Sequence, residues 1–355
     1  MKITKLFLQF LSIAILVVSC QDDDSSVEMV NRDYSKGVLI SGEGSSAGTG
    51  SISYVATDRS VKYQFIYLSA NGVELGTFLQ SIAFTEDNAY LIVDNANTVT
   101  MVDKATFIKK GEITTGLQTP RYMTVVNNNA YVSNWGDPFS EADDFIAVVD
   151  LTNNSVVKKI AVSNGPEQVI AKNGKLYVSH KGAYTYNNVV SVIDLTTDVV
   201  TEIEVEDNPD EMFFNNNGNL VVLSEGRLLY NADYTVGGHT IGAIQTIDIA
   251  TNTVSRSVTF EEGVHPSLMA FSNDQIFYYT NGNVYKIAEN ATSLATEALI
   301  SKTLSGMAVS NNELHGVDAG AYKAQGDYYI YDLDSGEEIY TSKVALGAAK
   351  IYVLE

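Results

Sequence analysis

The side chains best placed to do chemistry in this chain of 355 residues are four histidines and a few acids. His180, His239 and His265 fall in or beside connecting segments, whereas His315 sits within an apolar run. Imidazole carries protons near neutral pH and ligates metals readily. A bare metal ion, however, needs three or four donors at close spacing, and no H-E-x-x-H, zinc-type or full calcium-loop spacing is present. The histidines are therefore read as hydrogen-bonding groups, and His315 as structural. Glu167, Asp210 and Glu211 follow prolines at the starts of apolar runs, and Arg121 holds the same place in another, with Gln168, His265 and Ser267 in equivalent positions. Three acids could serve a metal-dependent hydrolase, yet no G-x-S-x-G, Walker or G-x-G-x-x-G arrangement accompanies them. GEGSSAGTG (42–50) has no helix to follow it, so it reads as a flexible loop, and DLDSGEE (332–338) reads as a solvated turn. No catalytic residue, cofactor or metal site is assigned, and the chain is not expected to be an enzyme.

Aromatic residues supply the other candidates. Trp135 and Phe139 lie in NWGDPFSEADD (134–144), Tyr184 and Tyr186 in HKGAYTYNN (180–188), and Tyr230 and Tyr234 in EGRLLYNADYTVGGHTIG (225–242). These segments are far longer than a hairpin requires, and long loops in compact domains are usually functional. Their aromatic content argues against disorder.

What must position these loops is a repeat. Each unit runs from a short strand, often opened by proline, through an Asn-rich turn, an apolar-aromatic strand, a variable loop, a V-x-x-I-D-L strand and a polar turn to a last alternating strand. The clearest copies span 120–162, 166–205 and 209–260; others span 79–113, 266–300 and 305–344. The aspartate of the third strand recurs at 103, 150, 194, 248 and 332. Four strands repeating with a period in the forties indicate a propeller blade. Residues 347–354 supply a first strand without a successor, and 37–69 supply three strands without a predecessor. Joining them predicts an all-β, seven-bladed β-propeller over residues 36–355, its ring closed by the C-terminal strand joining the N-terminal blade. In such blades the loop before strand one and the loop between strands two and three share a face. The turns after strands one and three share the other, and here these are tight and polar. The predicted binding residues, Arg121, Trp135, Gln168, His180, Tyr184, Tyr186, Tyr230, Tyr234 and His265, all map to the first face.

The net charge of −21 disfavours nucleic acid and anionic lipid as partners. At the N-terminus a basic MKITK precedes thirteen residues, Leu6 to Val18, that are apolar apart from Gln9 and Ser12. That stretch is too short to span a bilayer, so residues 1–19 read as an export signal. Val17-Val18-Ser19-Cys20 resembles the lipobox of bacterial lipoproteins, which implies a lipidated Cys20, the chain's single cysteine, followed by a tether over 20–35. The acidic QDDDSSVEM that comes next resembles the surface-export signal of Bacteroidetes lipoproteins, which implies a cell-surface location on the outer membrane. The membrane contact is then the lipid anchor alone.

The x-LYVS…V-x-V-I-D-x-x-T repeat is similar to the YVTN-type propeller repeats. With the surface-lipoprotein signal, it resembles the cell-surface vitamin B12-binding lipoproteins of that phylum. The resemblance implies capture of cobalamin, as ligand rather than cofactor, and its transfer to a TonB-dependent receptor. No ligand-contact motif carries over residue by residue. Two other readings remain open at this point: a protein-interaction scaffold using the same face, and a lactonase-like hydrolase.

Overall fold

The computed structural model describes residues 32–355. The expected export signal, and lipidation at Cys20, lie outside the described residues. Seven four-stranded antiparallel sheets follow one another around a ring, with a two-stranded hairpin added to one of them. Counting blades from the N-terminus, the innermost strands of blades two to seven begin at Leu79, Pro120, Pro166, Pro209, Leu268 and Gly306. Blade one is the composite: Ala348–Leu354 forms its innermost strand and pairs with Gly37–Gly42, which pairs in turn with Ser51–Val55 and Lys62–Tyr63. In that seam Ile40 faces Ile351 and Val38 faces Val353. The predicted closure is thus present, and it leaves the inner ring without a free sheet edge.

Burial explains why the strands read as they do. Second and third strands are covered on both sides by neighbouring blades, so Leu220–Ser224 and Gly37–Gly42 are buried throughout. Outer strands alternate with solvent, as in Thr253–Thr259. Separate apolar clusters fill the junctions between successive blades, including the closing one, where Val38, Ile40 and Val55 meet Val317, Tyr328 and Val344. The recurrent aspartate is a turn device. Its Oδ1 accepts backbone N–H groups of the following turn, from Thr152 at Asp150, Thr196 and Thr197 at Asp194, and Ser335 at Asp332. Those hydrogen bonds hold the three carboxyls below the usual carboxylate range.

Three local features depart from the sequence reading. Residues 66–69, expected to extend the last strand of blade one, lie instead in a short helix, Ile66–Asn71, because Ile66 and Tyr67 turn inward to fill the junction with blade two. The long loop 225–242 contains its own hairpin, Leu228–Tyr230 with Val236–His239. The chain also enters the ring earlier than the expected boundary: Tyr34 is buried, its N–H donates to Ala105 O at 2.7 Å, and its ring packs against Tyr54, Tyr63 and Phe107. Ala105 belongs to a turn after a third strand, so this docking point lies on the face of tight turns.

Inner strands approach closely. A Cβ on Gly306 would lie 2.0 Å from the carbonyl oxygen of Ala349 on the neighbouring innermost strand. Gly306→Ala must push these strands apart, and we expect a loss of about 1–3 kcal/mol in urea unfolding. An unchanged midpoint would mean that the strands separate freely.

Candidate functional site: a charged channel mouth and an aromatic rim

The site grows from a repeated backbone irregularity. In blades three, four and five the inner strand opens with proline and carries one extra residue before it resumes pairing, between Pro120 and Met123, Pro166 and Val169, and Pro209 and Met212. A bulge of this kind re-aims side chains. Here it presents Arg121, Glu167 with Gln168, and Asp210 with Glu211 together at the channel mouth. Second-strand serines hold two of the bulges: Ser133 Oγ accepts from Tyr122 N, and Ser179 Oγ accepts from Gln168 N.

Arg121 binds Glu167 in bidentate fashion, at 3.1 and 2.9 Å, and Asp94 at 3.0 Å. Its guanidinium also lies 3.8 Å from the centre of the Trp135 ring. Burial opposes the charge on Arg121, but Glu167 and Asp94 overrule it and hold the guanidinium above its ordinary pKa. Lys181 bridges Asp210 at 2.7 Å and Glu225 at 2.9 Å. Gln168 donates to Glu211 at 2.8 Å, and Lys350 approaches the same carboxylate at 3.7 Å. Three cations thus face six carboxylates, with Glu43 the sixth. Burial dominates the pKa values of four of these acids. Burial raises Glu43, Asp94 and Glu211, and it pushes Glu225 up to about 7 even though Lys181 opposes the shift. Burial works against ionisation of Asp210 too, but Lys181 and Lys350 hold it below its ordinary value.

Five of these residues share a position, and of the five sequence reasoning singled out Trp135 alone. Glu43, Asp94, Trp135, Lys181 and Glu225 each follow immediately after the second strand of blades one to five. Aligning the repeats by that residue finds them all. Lys350 carries no such signal, because it lies on the strand borrowed from the C-terminus.

Outside the mouth stand the rim aromatics. Tyr184 packs against Trp135, with ring centres 6.1 Å apart, and against Phe139 at 5.1 Å, bringing the loops of blades three and four together. Trp135 is nearly buried, while Phe139, Tyr184 and Tyr186 are exposed. Tyr186 lies under the guanidinium of Arg227 at 3.7 Å, and Arg227 is fixed by Asp207 at 2.9 Å. The loop that carries both tyrosines is itself fastened. Asn164 Nδ2 donates to Thr185 Oγ1 at 2.8 Å, Asn187 Nδ2 donates to Asn164 Oδ1 at 2.9 Å, and Gly182, with φ of +90°, supplies the turn. Tyr230 and Tyr234 stand apart on the hairpin of blade five, the latter at its tip, and both are exposed.

The histidines divide. His180 lies inside blade four and is fully buried, with Nδ1 on Asn164 O at 3.2 Å and Nε2 on Ser191 Oγ at 2.8 Å. Its place in the ligand-binding set is therefore corrected: it fastens the blade, and burial lowers its pKa to about 4. His265 does reach the loop face, paired with His239. His315 is buried against Tyr328, as its apolar surroundings predict. Among the described residues no group of three or more His, Cys, Asp or Glu side chains is arranged to hold a metal ion. Two clefts lie away from the mouth. One of about 300 Å³ opens on the loop face between blades one and seven, beside Phe65, Leu68 and Lys323, and another of about 640 Å³ lies between blades five and six.

Ring, faces and loops together define the class, a seven-bladed β-propeller whose long loops gather on one face. Residues 36–346 match the family described as a domain of unknown function, DUF5074, and the chain belongs to that family. A sequence search of curated proteins finds no match. Among solved structures it is similar to the extracellular domain of the one-component system BT4673 of B. thetaiotaomicron, with TM-score 0.60 and 13% identity over 85% of this chain and 40% of that one. It is also similar to apo AztD from Citrobacter koseri, with TM-score 0.54 and 11% identity over 89% and 96% of the two chains. Hydrazine synthase of Kuenenia stuttgartiensis gives TM-score 0.55 and 20% identity over 74% and 80%. At such identities the likeness is one of fold.

Proposed function

We propose that this protein captures a large, flat, amphipathic nutrient on its loop face, with cobalamin the leading ligand, and passes it to a TonB-dependent transporter. The observation that carries this reading is the rim. Phe139, Tyr184 and Tyr186 are 83%, 66% and 54% exposed, yet they are held in place by each other, by Trp135 and by Arg227. Exposed aromatics contribute little to folding, while preorganised ones lose little entropy on binding. The excess of carboxylates at the mouth adds hydrogen-bond acceptors for amide or hydroxyl groups at a ligand's edge. The lipobox-like VVSC segment and the acidic residues after it support a lipid anchor at Cys20 and a place on the outer-membrane surface. The Tyr230–Tyr234 hairpin suits contact with the transporter.

The test is calorimetric titration of the full chain with cyanocobalamin. One-to-one binding is expected, and Tyr184→Ala with Tyr186→Ala should weaken it at least about tenfold, since each stacked aromatic is worth about 1 kcal/mol. No heat at high concentration removes cobalamin. Binding that survives the double substitution in a folded protein removes the rim.

A further inference from the structure

His239 and His265 form a relay whose proton positions can be deduced. His265 Nδ1 lies 2.9 Å from the backbone carbonyl oxygen of Glu225, which can only accept. In the neutral pair His265 therefore carries its proton on Nδ1 and offers a lone pair at Nε2. That Nε2 is 2.9 Å from His239 Nδ1, so His239 donates through Nδ1. His239 Nε2 is left as an unprotonated nitrogen. Among the described residues it has no hydrogen-bond partner, and Gly263, which carries no side chain, lies over the face of the ring. The ring is half-buried, not enclosed.

This is the arrangement of a metal-ligating histidine. One nitrogen donates to a second group that fixes the tautomer and raises the basicity of the other. Yet His239 is a single donor, and a bare ion needs three or four. One nitrogen suffices for a metal whose remaining positions are already filled by a macrocycle. The location agrees. Thr240, next in the chain, exchanges hydrogen bonds with Arg227, the residue stacked on Tyr186, and the Glu225 carbonyl belongs to the residue that binds Lys181. The relay thus joins the aromatic rim to the channel mouth.

We propose that His239 Nε2 is an axial ligand for a transition metal that arrives within a corrinoid or tetrapyrrole ring bound on the aromatic rim, with His265 as its positioning residue. This rests on the capture reading and specifies how the bound ring is held. The step is a ligand exchange: the metal–water bond breaks, a metal–nitrogen bond forms, water leaves and the oxidation state does not change.

The full chain is mixed in turn with cyanocobalamin, whose cyanide resists displacement, with aquocobalamin and with hemin. Binding is followed by calorimetry and ligation by absorption. Aquocobalamin is expected to show an imidazole-type band shift with wild-type protein and none with His239→Ala. His265→Ala should reduce the shift, and ¹⁵N spectra of the free protein should place the His239 proton on Nδ1. Cyanocobalamin uptake without an aquocobalamin shift, or a shift that persists in His239→Ala, overturns ligation and leaves capture standing. A shift with hemin alone upholds ligation and replaces corrinoid with haem. Uptake of none of the three overturns both readings.

Discussion

Arg121→Met should lower the stability of the propeller by about 3–5 kcal/mol, the largest effect expected of any single substitution at the channel mouth. The side chain is only 12% exposed, and its two partners, Glu167 and Asp94, are 6% and 16% exposed. Removing the cation leaves two carboxylates in a poorly solvated place already rich in acid. The methionine keeps the apolar contact with Trp135, so the loss reports the charge and not a cavity. Urea unfolding measures it. Adding Glu167→Gln and Asp94→Asn to Arg121→Met should restore most of the stability, because a buried charge array replaced as a whole costs far less than one broken in half. A single substitution that leaves the midpoint unchanged would mean that water reaches both carboxylates.

The second large effect is one of pH. Asp144, in the loop that ends at blade three's third strand, is 2% exposed; its Oδ1 accepts Gly165 N at 2.8 Å and its Oδ2 has no partner. Burial raises its pKa to about 7. The folded protein therefore prefers the protonated acid. That preference contributes fully below the unfolded-state pKa of about 3.9 and is lost as pH rises through 7. Asp144→Asn cannot ionise, so its stability relative to wild type should improve between pH 5 and pH 8 by about 2–3 kcal/mol, at 1.36 kcal/mol per pH unit below the folded-state pKa. Paired urea titrations at the two pH values give the difference, in which any pH-independent cost of the amide cancels. A constant gap would place the ionised carboxylate in contact with solvent.

How much could be read from the sequence follows from what is periodic. Proline openings, Asn-rich turns and the third-strand aspartate are local devices, repeated because each blade solves the same problem, and they made the ring, its closure and its two faces legible. The inner-strand residues Arg121, Gln168, Asp210 and Glu211 were legible for the same reason: they follow the prolines. Pairing across blades was not. Arg121 meets Asp94 and Glu167 from two neighbouring blades, and Lys350 arrives from the far end of the chain, so no spacing in the sequence links them. His180 misled because a histidine at the edge of a loop looks exposed, while the last residue of a second strand is covered on both sides.

Tyr34 gives the molecule a polarity. The chain leaves the ring at the turn face, pinned beside Ala105, whereas rim, mouth and hairpin occupy the opposite side. An anchor at Cys20 would stand thirteen residues from Asp33, a leash of at most about 45 Å. Any group joined to the chain ahead of Tyr34 therefore meets the ring on the side of its tight turns, and the loop face is left clear at that junction.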